Sequence, residues 1–157
     1  MTPAAGGARR RVEMRAAPAA AVLDLLAALD GLQREIQLAD LGAGPAARPT
    51  VEASVVEGFV GGRAGIEAQR TSIHDQARQA REAGRHLVDL VAEYGAADVR
   101  RVRHATAAIA QADDAARSGL LLAPPMTPEQ RHLWEWMDRQ IRLQVDGGPA
   151  TAYAPPP

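Results

Sequence analysis

The chain has 157 residues, a formal net charge of −1 and no cysteine. The absence of cysteine excludes disulfides, thiolate chemistry and cysteine-based zinc sites, and the balanced charge argues against nucleic acid as the main partner. Aromatic residues make up 3% of the chain, so its apolar content is mostly Ala, Leu and Val, a composition that suits thin helical bundles.

The amino-terminal region predicts neither a folded element nor a membrane segment. Residues 1–16 are rich in Ala, Gly and Arg, and we expect a disordered leader. No apolar run in the chain approaches the roughly 20 residues that span a bilayer, and the arginines at 9–11 are not followed by a secretory hydrophobic region. We therefore expect a cytoplasmic protein with no membrane contact.

The first helix is predicted over residues 18–41. Pro18 fits the first helical position, where its missing N–H costs nothing, and the run 42–45 ends the helix with glycine and proline. In between, apolar residues recur at alternating spacings of three and four, which is a heptad seam: Val22, Leu25, Leu29, Leu32, Ile36 and Ala39.

A long second helix is predicted over residues 50–94, with Thr50 or Ser54 as its cap and Gly95 as its stop. A straight helix of about 45 residues would measure about 68 Å, whereas a compact globule of this size is about 40 Å across. The glycines between residues 58 and 65 are the expected breakpoint. They favour close helix packing or a hinge over a phosphate-binding loop, because no strand precedes them and the chain has no lysine.

Two shorter helices are predicted over residues 98–118 and 128–145. Asp98 is expected to cap the first of them, and Thr127, Pro128 and Gln130 form a capping box for the second. Residues 147–157 are predicted to be a disordered tail rich in Pro and Gly.

The predicted fold is therefore all-α: an elongated antiparallel helical hairpin or coiled coil, extended by two shorter helices into a three- to four-helix bundle over residues 17–146, with flexible termini. The heptad seams are longer than the two shorter helices can cover, so we predict a homodimer that completes the bundle.

Two short motifs resemble known families. His74-Asp75 in a helical context resembles the phosphoacceptor box of sensor histidine kinases, which implies that His74 takes a phosphoryl group while Asp75 orients its ring; the alternative is an exposed histidine on a polar face. Tyr94-x-x-x-Asp98 after a helical pair is similar to the export signal of type VII secretion substrates; the alternative is a helix end followed by a cap.

Other residues indicate a contact surface. Arg100 and Arg103 share a helix face that could meet phosphates or an acidic partner, or could simply be solvated. Trp134 and Trp136 point about 200° apart on a helix, so we expect one to be buried and the other to lie near the surface, where tryptophan often dominates binding. The alternative is that both pack into the core of a wider bundle.

We therefore expect a non-enzymatic regulatory or scaffolding protein that acts through protein–protein contacts, with no catalytic residue, cofactor or metal. The His motif spacings of helical metal sites do not occur. The candidate interaction surface comprises Trp134, Trp136, Arg100 and Arg103. A histidine phosphorelay or dimerisation domain that uses His74 and an exported type VII substrate remain the alternatives.

Overall fold

The computed structural model describes residues 8–42 and 52–157. In them the chain forms five helices and a two-stranded antiparallel sheet, so the all-α prediction is wrong: the fold is mixed α/β, though mostly helical. In chain order the elements are β1 (Arg10–Pro18), α1 (Ala19–Gly42), α2 (Ala53–Ala64), α3 (Glu67–Glu82), β2 (Leu87–Tyr94), α4 (Ala96–Arg117) and α5 (Pro128–Val145). Residues 1–7 of the predicted leader, the connector at 46–49 and Thr50 lie outside the described residues.

The sheet pairs two segments that the sequence assigned otherwise. β1 includes residues 10–16 of the predicted leader, and β2 replaces the end of the predicted helix 50–94. Met14 lies opposite Leu90 in the antiparallel register. One face of the sheet is buried in the core and comprises Val12, Met14, Val88, Leu90, Ala92 and Tyr94.

The helix prediction is wrong at β2 because the apolar residues of this segment satisfy both a helical and a strand periodicity. Leu87, Val91 and Tyr94 continue a helical seam, but burial alternates along the strand, with Asp89 and Glu93 exposed between buried neighbours. Alternation of this kind is the signature of a half-buried strand. Only pairing with β1, far away in the sequence, selects the strand.

A β-bulge interrupts β1 between Met14 and Ala17. Ala16 lies there with a positive φ of 53°, a conformation that costs a non-glycine residue free energy. Its N–H donates to Asp89 Oδ1 at 2.8 Å, which helps to hold the bulge in place. The bulge also leaves the Arg15 carbonyl to accept a hydrogen bond from Tyr153 N–H, at 2.9 Å.

Glutamine side chains pair with both outer edges of the sheet. Gln76 of α3 donates to the Val91 carbonyl at 2.7 Å and accepts from the Val91 N–H at 2.9 Å. Gln144 of α5 does the same to Glu13, at 2.7 and 2.9 Å. Each amide thus satisfies an edge residue as a third strand would, and the edges are covered by helices.

The predicted seam of α1 is buried within one chain. Val22, Leu25, Leu29, Leu32 and Ile36 are each at most 1% exposed, and α1 contacts every other helix of the described chain. The seam therefore needs no second copy to cover it, and this argument for a homodimer no longer holds.

The predicted helix 50–94 is not continuous. α2 ends at Ala64, the chain turns at Gly65 and Ile66, and α3 begins at Glu67. Two glycines of α2 lie against α4: a Cβ on Gly62 would be 3.1 Å from Ala105 Cβ, and one on Gly58 would be 3.3 Å from Ala108 Cβ. The glycines therefore serve both expected purposes, a break and close helix packing.

The two remaining helices lie close to their predicted positions. α5 spans Pro128–Val145, and Thr127 and Gln130 form the predicted capping box, with hydrogen bonds of 3.1 and 2.9 Å. α4 begins at Ala96, two residues earlier than predicted. Asp98 is therefore not the N-cap residue but lies inside the first turn, where it accepts the Gly95 N–H at 2.9 Å.

The segment that follows α5 packs on the protein, which corrects its prediction as a loose tail. Thr151 hydrogen-bonds Gln140 of α5, and Tyr153 packs against Trp136. Ala152 forms a parallel β-bridge with Arg15. Helix α5 thus has α4 on one side and β1 with this segment on the other.

Candidate functional site

Helix α5 carries a tryptophan on each of its two sides. Trp136 is 5% exposed and packs beneath Tyr153. Trp134 is half-buried and lines a cleft between α4 and α5. This separation follows from their spacing of two residues, which turns them about 200° apart around the helix axis.

The α4–α5 cleft has a volume of about 300 Å³, which is at the lower end of the range for ligand sites. Ile109, Met126 and the Trp134 ring give it apolar walls. Its lining also has two arginines and three carboxylates, a formal charge of −1: Arg117, Arg131, Asp113, Asp114 and Glu135.

An Arg–Asp–Arg cluster closes one end of the cleft. Asp113 of α4, 3% exposed, accepts from Arg117 at 2.6 Å and from Arg131 of α5 at 2.9 Å. Its second oxygen accepts the Met126 N–H at 2.6 Å. One buried carboxylate therefore joins both helices to the loop between them, and its hydrogen bonds offset much of the cost of its burial.

A second cluster of the same composition lies farther along the two helices. Asp138 of α5 is 7% exposed and accepts from Arg142 at 2.7 Å. Burial raises the pKa of Asp138, while the charge and hydrogen bond of Arg142, the Thr106 hydroxyl and the charge of Arg103 oppose that rise. The Asp138–Arg142 ion pair lies within α5, and the predicted Arg103 of α4 acts on it through its charge.

One unpaired polar atom belongs to a residue that lines the cleft. Trp134 Nε1 is buried and has no hydrogen-bond partner among the described residues, and the Trp134 side chain forms part of the cleft wall. An unpaired buried donor costs free energy of about 1–3 kcal/mol. A ligand that brought an acceptor to the indole N–H would recover that cost, which makes this point of the cleft the strongest candidate for binding.

The structure brings together part of the predicted surface. Trp134 lies in the cleft, and Arg103 acts electrostatically on Asp138 beyond it. Arg100 is exposed on α4, and Trp136 faces the opposite side of α5. Sequence reasoning missed Thr106, Asp113 and Arg131, although the four-residue spacing of Asp113–Arg117 and Asp138–Arg142 is the spacing of helical ion pairs.

The two sequence motifs lie elsewhere. His74 and Asp75 are about half exposed on α3, and His74 Nδ1 is 3.5 Å from Asp75 Oδ1. Tyr94 and Asp98 are 2% and 6% exposed, and burial raises the pKa of Tyr94. These two residues contribute to the core and to the start of α4.

In residues 8–42 and 52–157, no group of three His, Asp or Glu side chains could hold a metal ion. None of the helices in the described part of the chain is long and apolar enough to cross a membrane. No protein-family model, curated protein or solved structure shows a significant match to this chain.

Proposed function

We propose that the protein is a non-enzymatic regulatory or scaffolding protein of the cytoplasm that acts through protein–protein contact, and that its α4–α5 cleft receives a segment of the partner. The observation that carries this proposal is Trp134, whose side chain lines a preformed cleft and whose buried indole N–H has no partner among the described residues. Tryptophan at the centre of a partly buried pocket is typical of residues that dominate protein interfaces.

The charge of the cleft indicates the chemistry of the partner segment. Asp113 is already bound by two arginines. Asp114 is 73% exposed and makes a longer contact of 3.4 Å with Arg117, and Glu135 is exposed on the rim. We therefore expect an apolar side chain that enters between the helices, a backbone carbonyl that accepts from Trp134, and a neighbouring Lys or Arg that meets the rim carboxylates.

Selection of random peptides on the purified full chain tests this proposal. Selected peptides should pair an apolar residue with a basic one. Trp134→Phe, which keeps an aromatic ring but removes the donor, should weaken their binding about tenfold. Trp134→Ala should weaken it further, because the wall of the cleft is lost as well.

Arg139→Ala is the matched control, because Arg139 is exposed on the same helix and does not line the cleft. It should bind the selected peptides as the wild type does. Peptides that bind both Trp134 variants as tightly as the wild type, or a selection that enriches no peptide, would contradict the proposal.

A histidine phosphorelay is the second candidate. It is supported by the exposure of His74 and by the carboxylate of Asp75 beside its Nδ1, an arrangement that orients the ring and suits a phosphoacceptor. Incubation with labelled ATP and the histidine kinases of the host should then give an acid-labile label that His74→Gln abolishes. A wild-type protein that takes up no label would contradict the phosphorelay hypothesis. Detection of the protein only inside cells would oppose the other alternative, export by type VII secretion.

A further inference from the structure

The second side of α5 carries a groove that is already filled by an extended peptide. The occupant is residues 151–154 of the chain itself, Thr-Ala-Tyr-Ala, which we call the strap. Thr151 N–H donates to Gln140 Oε1 at 2.9 Å, and Gln140 Nε2 donates to Thr151 Oγ1 at 2.6 Å. Tyr153 N–H donates to the carbonyl of Arg15 at the β-bulge, at 2.9 Å.

Three residues of α5 contact successive parts of the strap. Gln140 binds Thr151, Trp136 contacts the Tyr153 ring, and His132 Nε2 lies 2.9 Å from the Ala154 carbonyl. Positions four residues apart on a helix rise about 6 Å per step on one face, so this set spans about 12 Å. Three extended residues span about 10 Å, so an extended segment that runs antiparallel to α5 matches the spacing.

An aromatic slot supplies the selective contact. The Tyr153 ring packs edge-on against Trp136, with centroids 5.2 Å apart, and against His132, with centroids 5.7 Å apart. Trp136 beneath it is 5% exposed, and its indole N–H has no partner among the described residues. The slot therefore selects an aromatic ring by contact on two sides.

The groove is built independently of the strap. Gln140 is 1% exposed and its Oε1 also accepts from Gln144 at 3.1 Å. Gln144 in turn holds both backbone groups of Glu13 in β1. Hydrogen bonds from the sheet through Gln144 thus fix the orientation of the Gln140 amide that binds Thr151. A group that recognises a ligand needs such support from its neighbours.

Most residues of the strap are exposed to solvent. Thr151, Ala152 and Ala154 are exposed, and only Tyr153 is half-buried. The strap joins α5 through Gly147, which has a φ of +92° that suits glycine. Release of the strap therefore exposes mainly the aromatic slot and the Gln140 amide.

We propose that this groove is a recognition site for an extended segment of a partner protein that carries Thr or Ser, any residue, then Tyr, and that the strap is its internal occupant. The contacts define that chemistry, since they bind one hydroxyl, one aromatic ring and three main-chain groups. The site lies on the opposite side of α5 from Trp134 and does not depend on the function proposed for the cleft.

The internal occupant lowers the affinity of the groove for other segments. A tethered segment has an effective concentration in the millimolar range, so it competes with any partner and lowers the apparent affinity of the groove. Weakening the strap within the full chain should therefore open the site to a peptide added in trans.

The experiment uses a fluorescent peptide of residues 150–157 and measures its anisotropy with the full-length chain. Tyr153→Ala removes the aromatic contact of the internal strap, so this variant should bind the peptide about tenfold more tightly than the wild type. A peptide with Ala in place of Tyr should bind the variant about tenfold more weakly, and this control leaves the protein unchanged. His132→Ala in the Tyr153→Ala background should also weaken binding, whereas Arg139→Ala should not.

Two outcomes overturn the proposal. One is an absence of peptide binding to Tyr153→Ala at millimolar concentration, or equal binding of the peptides with Tyr and Ala. The other is a wild-type dimer that Tyr153→Ala dissociates, because the occupant would then be the strap of a second copy. Unchanged circular dichroism of each variant shows that the fold is retained, and binding of the cleft peptides to Tyr153→Ala separates this site from that of Trp134.

Discussion

At the scale of the residue, the fold depends on aspartate–arginine clusters that join different elements. Asp113 of α4 pairs with Arg131 of α5, and Arg63 of α2, itself 4% exposed, donates to Asp30 of α1 at 2.7 Å. Asp138 pairs with Arg142 within α5. Burial lowers the pKa of Arg63, and the hydrogen bond and charge of Asp30 oppose the shift. Removing one partner of such a pair destabilises the fold by more free energy than the intact pair contributes, because the remaining buried charge has no counterion.

Asp138 makes the stability of the protein depend on pH. Its pKa is raised by burial in the folded chain, so the folded state binds its proton more tightly than the unfolded state, where the value is about 3.9. The stability that this carboxyl contributes is therefore complete below about pH 4 and is lost as the pH rises through the folded pKa.

We expect Asp138→Asn to remove this component. Relative to the variant, the wild type should lose about 1.4 kcal/mol of unfolding free energy for each unit by which its folded pKa exceeds the unfolded value. Urea denaturation of both proteins between pH 4 and pH 8 measures the difference. Parallel pH profiles would show that Asp138 has no such role.

At the scale of the element, α2 approaches α4 through glycine. Gly62 is buried, and an added Cβ would lie 3.1 Å from Ala105 Cβ, from the Ala105 amide nitrogen and from the Arg101 carbonyl oxygen. Two of those atoms are helix backbone, which cannot move aside as a flexible side chain can. Gly61, its neighbour, is exposed and has no atom within 4 Å of the same position.

The two glycines form a matched pair for mutation. Gly61→Ala should stabilise the chain by up to about 1 kcal/mol, since alanine favours the helix. Gly62→Ala should destabilise it by about 1–2 kcal/mol, because steric conflict with α4 exceeds the same gain. Thermal and urea unfolding of the two variants give the comparison, and equal stabilisation by both would rule out close packing here.

At the scale of the whole molecule, some of the large apolar side chains left exposed among the described residues lie near the end of α1. Leu38 and Leu41 are 61% and 81% exposed there, and Leu122 of the loop after α4 is 93% exposed. The N–H of Leu122 donates to Glu35 Oε2 at 3.3 Å, one turn before Leu38. We call Leu38, Leu41 and Leu122 the leucine patch; clustered exposed leucines are typical of contact surfaces.

The homodimer stays a prediction. Because the heptad seam is buried within one chain, we now expect the interface of the homodimer at the leucine patch. Light scattering of the wild type should then give a dimer mass at high micromolar concentration, and Leu38→Gln with Leu122→Gln should give a monomer of unchanged circular dichroism. The loss of buried apolar area is the reason. A wild type that is monomeric throughout would refute the homodimer.

The sequence by itself determined the elements whose signals are local. The seam from Val22 to Ile36 defines the buried side of α1, and Thr127 with Gln130 defines the start of α5, because helix periodicity and capping depend on residues a few positions apart. It also determined that two tryptophans two residues apart would face different sides of α5.

Only the tertiary structure decided what depends on residues distant in the chain. Residues 87–94 fit a helix or a strand equally by pattern, and pairing with residues 10–18 selects the strand. The same packing decides that the groove beside Trp134 stays open while the one beside Trp136 holds the strap. The physical reason is that a strand edge or a groove gains its free energy from contacts across long sequence separations, which no local pattern encodes.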